Sequence, residues 1–115
     1  MFDFCKLDVC QKAKAFCILM HQLISDVNFD RTTNDHLPRA SFSIMLNIAE
    51  GSSRFSNKDR KNFMVVTRGS AFESSAIIEY LYEVAEIDKD DYVSYLNCLE
   101  EISKMLYGLI LGLDK

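Results

Sequence analysis

Apolar residues recur at steps of three and four in four long stretches of this chain, each closed by a short polar break, which is the rhythm of α-helices. The first stretch runs from about Asp8 to Phe29 on Val9, Ala13, Phe16, Met20, Leu23 and Val27, with Asp8 as its N-cap. The polar run from Asp30 to Asp35 reads as a loop. The second stretch starts near Asn34 or Asp35, because Pro38 is best tolerated in a first helical turn, where its missing N–H removes no helical bond. It carries two stripes, Leu37, Ala40, Ile44 and Ile48 on one side and Phe42, Leu46 and Ala49 on another, and Gly51-Ser52-Ser53 closes it. Ser56 followed by Asp59 resembles a capping box and opens the third stretch, which extends to about Ala85. Its core face reads as Phe63, Val66, Ser70, Ile77, Leu81 and Val84, with Met64, Phe72 and Tyr82 partly off that face. The fourth follows the acidic turn from Asp88 to Asp91 and runs to about Gly112 on Tyr92, Tyr95, Leu96, Leu99, Ile102, Leu106, Leu109 and Leu113.

Four Gly and one Pro in 115 residues leave little material for the many turns of an all-β chain. The expected fold is therefore all-α, a single domain over residues 1–115. Short connections make neighbouring helices antiparallel, giving an up-down-up-down four-helix bundle. A chain of this size buries roughly two-thirds of its unfolded surface, enough for one core. The second stripes of the second and third helices exceed what one core needs, and a contiguous exposed apolar patch marks an interface. Self-association is the economical inference. The run Gly69-Ser70-Ala71 suggests a further close contact, since Gly inside a helix costs about 1 kcal/mol relative to Ala and is expected where another backbone approaches.

A formal charge of −4 opposes nonspecific attraction of the whole chain to nucleic acid. The charge is unevenly spread, however. Between Arg54 and Arg68 stand five cations (Arg54, Lys58, Arg60, Lys61, Arg68) against the single anion Asp59. Between Glu73 and Glu101 stand nine anions against Lys89 alone. Such runs form solvated helix faces, or a basic rim and an acidic end that meet partners. Four cysteines, Cys5, Cys10, Cys17 and Cys98, show no zinc-like spacing. Cys10 and Cys17 are expected as small buried apolar residues. Met1–Phe4 show no basic start to a leader, and the uncharged run from Ala15 to Ser25 is too short to span a bilayer. A cytoplasmic setting with free thiols is the expectation.

Helical bundles often hold di-iron sites built on Glu-x-x-His pairs, but Ile18 and Thr33 occupy the positions three before His21 and His36. His21 reads as a partly buried bundle residue and His36 as a helix-start residue. No glycine-rich phosphate loop is present, and no spacing selects a catalytic triad. No catalytic residue, metal ligand or cofactor site is assigned. One polar constellation stands out: Arg39, Ser43, Asn47, Glu50 and Arg54 share a face of the second helix, while Arg68, Ser70 and Glu73 sit around the small-residue run of the third. Arg39, Ser43, Asn47, Glu50, Ser70 and Glu73 are expected to pair across these helices and fix their register. Arg54 and Arg68 are candidates to stay open to a ligand.

The segment Arg39-Ala-Ser-Phe-Ser-Ile-Met-Leu-Asn-Ile-Ala-Glu-Gly51, then Arg54-Phe-Ser56, then Arg68-Gly-Ser-Ala-Phe-Glu73, resembles the four-helix bundle proteins named for intervening sequences of bacterial 23S ribosomal RNA. Leu7–Ala13 and Lys104–Ile110 are similar to that family's first and last helices. Pro38, Met45 and Cys10 depart from its usual pattern. The resemblance implies a left-handed bundle that forms a ring, commonly a pentamer. It also implies kinship with the accessory variability determinant protein of diversity-generating retroelements, which engages nucleic acid and a reverse transcriptase. The sequence is thus expected to encode a non-enzymatic, homo-oligomeric binding scaffold. Its expected partners are other copies of itself and RNA, DNA or a reverse transcriptase, met through Arg54, Lys58, Arg60, Lys61 and Arg68. The alternative is a protein–protein module with no nucleic-acid role.

Overall fold

Asp30 turns the chain after the first helix, and its side chain accepts a hydrogen bond from the Thr33 N–H at 2.8 Å. That bond satisfies one of the four orphan donors of a helix start and places the start there. The computed structural model describes residues 7–114 and contains α1 (Asp8–Val27), α2 (Arg31–Ser52), α3 (Asn57–Glu83) and α4 (Lys89–Leu113). The run from Arg31 to Asp35, expected as a loop, is therefore helix, and Pro38 lies inside α2 rather than in its first turn. The acceptor at Asp30 outweighs the two threonines and the proline that argued for a later start. Asp8 is also displaced from its expected role. Leu7 occupies the N-cap of α1 without a side-chain bond, and Asp8 is the first helical residue, where its charge suits the helix dipole. Ser56 and Asp88 cap α3 and α4 by accepting from Asp59 N–H and Asp91 N–H.

Each helix packs on two neighbours, in the cycle α1–α2–α3–α4 and back to α1. Cross-links fix the directions. Ser43 meets Ser70 while Gly51 faces Phe63 and Met64, and Arg68 meets Ser103 while Lys61 meets Asp114, so α3 is antiparallel to both α2 and α4. The outcome is an all-α bundle of four helices, 44 × 24 × 22 Å, with no strand among the described residues. No helix among them is long and apolar enough to cross a membrane.

The core takes Val9, Ala13, Phe16, Met20 and Leu23 from α1, Leu37, Ala40, Ile44 and Ile48 from α2, and Tyr95, Leu99, Ile102 and Leu106 from α4. Val27, expected on the inner stripe of α1, is exposed at the helix end. The inner face of α3 differs more from expectation. Met64, Thr67, Ala71, Ser74, Ile78 and Leu81 are buried, whereas Val66 and Val84 are exposed and Phe63, Ser70 and Ile77 lie at the edge. Thr67 and Ser74 enter the core because their hydroxyls donate to the carbonyls of Phe63 and Ser70 at 2.7 and 3.0 Å, so neither hydroxyl is left unpaired. The valines gain nothing by displacing them. Gly69 is likewise not a close contact, since a Cβ there would meet no atom within 4 Å. The close approach falls on Gly51, where a Cβ would stand 2.7 Å from both Met64 Cε and Phe63 Cβ.

Cys10 is buried as expected; Cys17 and Cys98 are half-buried, and none of the three forms a disulfide among the described residues. Cys5 and Met1–Phe4 lie outside the described residues. The turn after α3 places Ala85 in the left-handed region at φ 61°, and Glu86 N–H reaches back to the Leu81 carbonyl at 2.9 Å. This six-to-one bond closes the helix as glycine usually does, at a steric cost that alanine's Cβ adds.

Candidate functional site

The five cations of the basic run do not form one patch. Arg54, Lys58, Arg60 and Lys61 gather where α2 turns into α3, at one end of the molecule. The turn itself is tied down locally: Ser52 and Ser53 hydroxyls donate to the Ile48 and Glu50 carbonyls at 2.7 and 2.6 Å. Arg54 pairs with Glu50 at 3.0 Å and lies 4.6 Å from the centre of the Phe63 ring. Arg60 Nε donates to the Arg54 carbonyl at 2.7 Å, and Lys61 pairs with Asp114 of α4 at 2.6 Å. Lys58 is exposed, with no ion pair among the described residues. Arg68 stands apart from this end, about 11 Å farther along α3 than Lys61 at 1.5 Å per residue. It donates from Nε to Ser103 Oγ at 3.2 Å, with its guanidinium 4.9 Å from the Phe72 ring centre and 5.3 Å from that of Tyr107.

One residue of this end was not singled out by charge or by motif. Phe55 sits in the turn between Arg54 and Ser56 and is 99 % exposed. An aromatic residue within a basic run is the available sequence signal, since cations beside a free ring form a stacking platform for bases. A helical period gives such a residue no weight, because Phe55 belongs to no helix.

The expected polar network is brought together in part. Ser43 and Ser70 hydroxyls lie 3.0 Å apart across α2 and α3, and Asn47 Nδ2 donates to both the Ser43 carbonyl and its hydroxyl at 2.9 and 2.8 Å. Glu50 turns instead to Arg54. Arg39 and Glu73 are exposed and on different grooves, Arg39 beside Cys17, His21 and Phe42, and Glu73 beside His36, Ile77 and Tyr80.

Three of the grooves between helices hold residues singled out above. The α3/α4 groove, of about 510 Å³, has Arg68 and Lys104 toward one end, Glu100 beside Phe72 one turn on, and Glu79 toward the other end. The α1/α2 groove, of about 330 Å³, sets Cys17 beside His21, which is exposed rather than partly buried. Burial pushes the Cys17 thiol up, against a smaller opposing contact from Ser41. The thiol is therefore held protonated, the reverse of what an activated nucleophile needs. The α2/α3 groove holds Asp30, His36 and Glu73, with His36 exposed. Among the described residues no group of three His, Cys, Asp or Glu side chains is placed to hold a metal ion. The arrangement offers grooves and charged ends at the surface of the bundle.

The fold recurs in a solved structure. A crystal structure from Bacteroides thetaiotaomicron, described as a protein with unknown function from the S23 ribosomal protein family, superposes with a TM-score of 0.83. It is 24 % identical in sequence over 89 % of this chain and 97 % of that one, a likeness that shows the fold. The sequence matches none of the curated proteins. The profile of the family described as 23S rRNA-intervening sequence protein matches residues 5–108, so it takes in all of α1, α2 and α3 and most of α4. With nearly the whole bundle matched, the chain belongs to the 23S rRNA-intervening sequence protein family.

Proposed function

We propose that this protein is a non-enzymatic, self-associating binding scaffold whose basic end engages nucleic acid, or an enzyme such as a reverse transcriptase that works on it. The self-association rests on apolar surface left outside the core. On α2, Phe42 and Leu46 are each 48 % exposed, and on α3 Val65, Val66, Phe72 and Tyr80 are exposed by half or more. A helix that is apolar on its outer side as well as its inner side is one that expects to be covered. Association into a ring, with the pentamer that the resemblance implies, repeats the basic end several times on one rim and multiplies weak contacts through effective concentration.

The nucleic-acid reading is carried by Phe55. A fully exposed ring beside Arg54, Lys58, Arg60 and Lys61 supplies both parts of a single-strand site, charge for the phosphates and a face for a base. Binding of a fluorescent single-stranded RNA should weaken with rising salt and weaken about tenfold or more in Phe55→Ala, the usual weight of one stacked base. Affinity that ignores both salt and Phe55 would sink this reading.

A second reading has its own observation. Glu83, Glu86, Asp88, Asp90 and Asp91 are all exposed at the opposite end, around the α3–α4 turn. None of them forms an ion pair among the described residues. A basic protein partner would dock there. Reversing charge at Glu83 and Glu86 should abolish capture of such a partner and leave RNA binding at the Phe55 end unchanged.

A further inference from the structure

The basic end carries its own anions. Glu50, Asp59 and Asp114 belong to it, so the four cations Arg54, Lys58, Arg60 and Lys61 are set against three carboxylates. Those carboxylates are not shared evenly. Glu50 Oε1 holds Arg54 at 3.0 Å, and Asp114 Oδ1 holds Lys61 at 2.6 Å. Arg54 is further detained by the Phe63 ring, whose centre lies 4.6 Å from its guanidinium. Lys58 and Arg60 have no ion pair among the described residues. The contacts of Arg60 are with uncharged acceptors, the Arg54 carbonyl at 2.7 Å and Asn57 Oδ1 at 3.4 Å. They orient its guanidinium and leave its charge uncompensated. Asp59, in the first turn of α3, is exposed and also makes no ion pair among the described residues.

A polyanion meets these cations differently. A free cation at a phosphate releases a counterion, and that release gives binding its dependence on salt. A cation that already holds a carboxylate must surrender it first, and exchanging one anion for another returns less. Glu50 stands four residues before Arg54 on a fixed helix, so its carboxylate competes at a high effective concentration.

Resting on the single-strand reading above, we infer that Lys58 and Arg60 alone take phosphates beside Phe55, while Glu50 and Asp114 are built-in competitors that withhold Arg54 and Lys61. The end is thereby limited to two phosphate contacts in each copy, and the base stacked on Phe55 supplies a larger share of the binding. A duplex, whose paired bases cannot reach the ring, is held by two cations only. For a single strand, log affinity falls against log salt with a slope near −0.7 for each contact. Two contacts give about −1.4, and four would give about −2.8.

Fluorescence anisotropy of a short labelled oligouridylate, too short to bridge two copies, reads this slope across a series of KCl concentrations. Wild type should give about −1.4, and Lys58→Ala about half of that. Asp114→Asn and Glu50→Gln should each steepen the slope by about 0.7 and tighten binding about threefold at low salt, with the double variant near −2.8. Asp59→Asn removes the same charge from the same end and should leave the slope as it was. All three carboxylates are exposed, so the circular dichroism spectrum should match wild type in each of these variants. An equal response to all three overturns the inference, because net charge and not pairing then governs. A wild-type slope already near −2.8 that no carboxylate variant steepens also overturns it, and leaves the single-strand reading standing. Binding that depends on neither salt nor Phe55 overturns both.

Discussion

The α2/α3 and α1/α4 seams hold the same bundle by different means. Between α2 and α3 the residues are small and hydroxylated: Ser43 and Ser70 touch, Asn47 braces Ser43, and Gly51 admits the side chains of Phe63 and Met64. The inner faces of α1 and α4 bring Phe16, Met20, Leu99, Ile102 and Leu106 to the core, and the seam is closed outside by the exposed Lys12–Glu101 pair at 2.8 Å. An oily seam tolerates exchange of one large side chain for another of similar volume. A seam of small polar residues does not, because its closeness depends on atoms that are absent. Asn47, Gly51 and Ser70, quoted above for the resemblance, lie on the second kind of seam.

The comparison can be broken from either side. Phe16→Ala should be the most destabilising, about 4 kcal/mol by urea unfolding, from lost burial and the cavity left behind. A loss under 1 kcal/mol would show that the oily seam is not what holds α1. Gly51→Ala gains helix propensity but drives a Cβ against Phe63, and overpacking should outweigh the gain to leave a net loss of about 2 kcal/mol. A stabilised variant would mean that the two helices separate freely. Ser43→Ala and Ser70→Ala should each cost about 1 kcal/mol, and the double variant less than their sum, since they share one hydrogen bond. Full additivity would remove the network from the account.

The smallest effects are pH-dependent. The hydrogen bond to Glu101 raises the Lys12 ammonium above its ordinary 10.5. Its contribution is therefore present below that value and fades as the pH rises through the raised one. Thermal melts of Lys12→Met and wild type should differ slightly at pH 8 and converge at strongly alkaline pH. Asp30 runs the other way. Bonding to Thr33 lowers its carboxyl from the ordinary 3.8, so its cap contributes above that value and is lost as the pH falls through the lowered one. Asp30→Ala should melt earlier than wild type at pH 7 and match it in strong acid.

Much of the fold could be read directly from periodicity, because α1, α2 and α4 put large apolar residues on their inner faces. The inner stripe of α3 was misplaced for a physical reason. Hydropathy credits Val66 and Phe63, yet close packing against α2 and α4 wants Thr67, Ala71 and Ser74, with the hydroxyls of Thr67 and Ser74 turned back to their own helix. The start of α2 was hidden because a single aspartate acceptor is weak evidence beside two threonines and a proline. At the binding surfaces, charge located the basic end but not its division. That Arg68 faces Ser103 rather than solvent depends on how α3 is turned against α4. Phe55 carries no period at all, and only its isolation in a turn reveals it.

The hydroxyls of α3 have a consequence for the order of events in folding. Thr67, Ser70, Ser74 and Ser75 all donate to carbonyls one turn back, a habit that weakens and bends helices, and Gly69 sits among them. With Val65 and Val66 beside them, the middle of α3 has poor intrinsic reason to be helical before its neighbours arrive. An excised peptide of residues 57–83 is expected to be largely unstructured in water. In the whole protein, amide exchange at Thr67 to Ser75 should follow unfolding of the entire bundle. The longest helix of the four would then be a product of assembly, gained when α2 and α4 close on it, and not a seed from which the others grow.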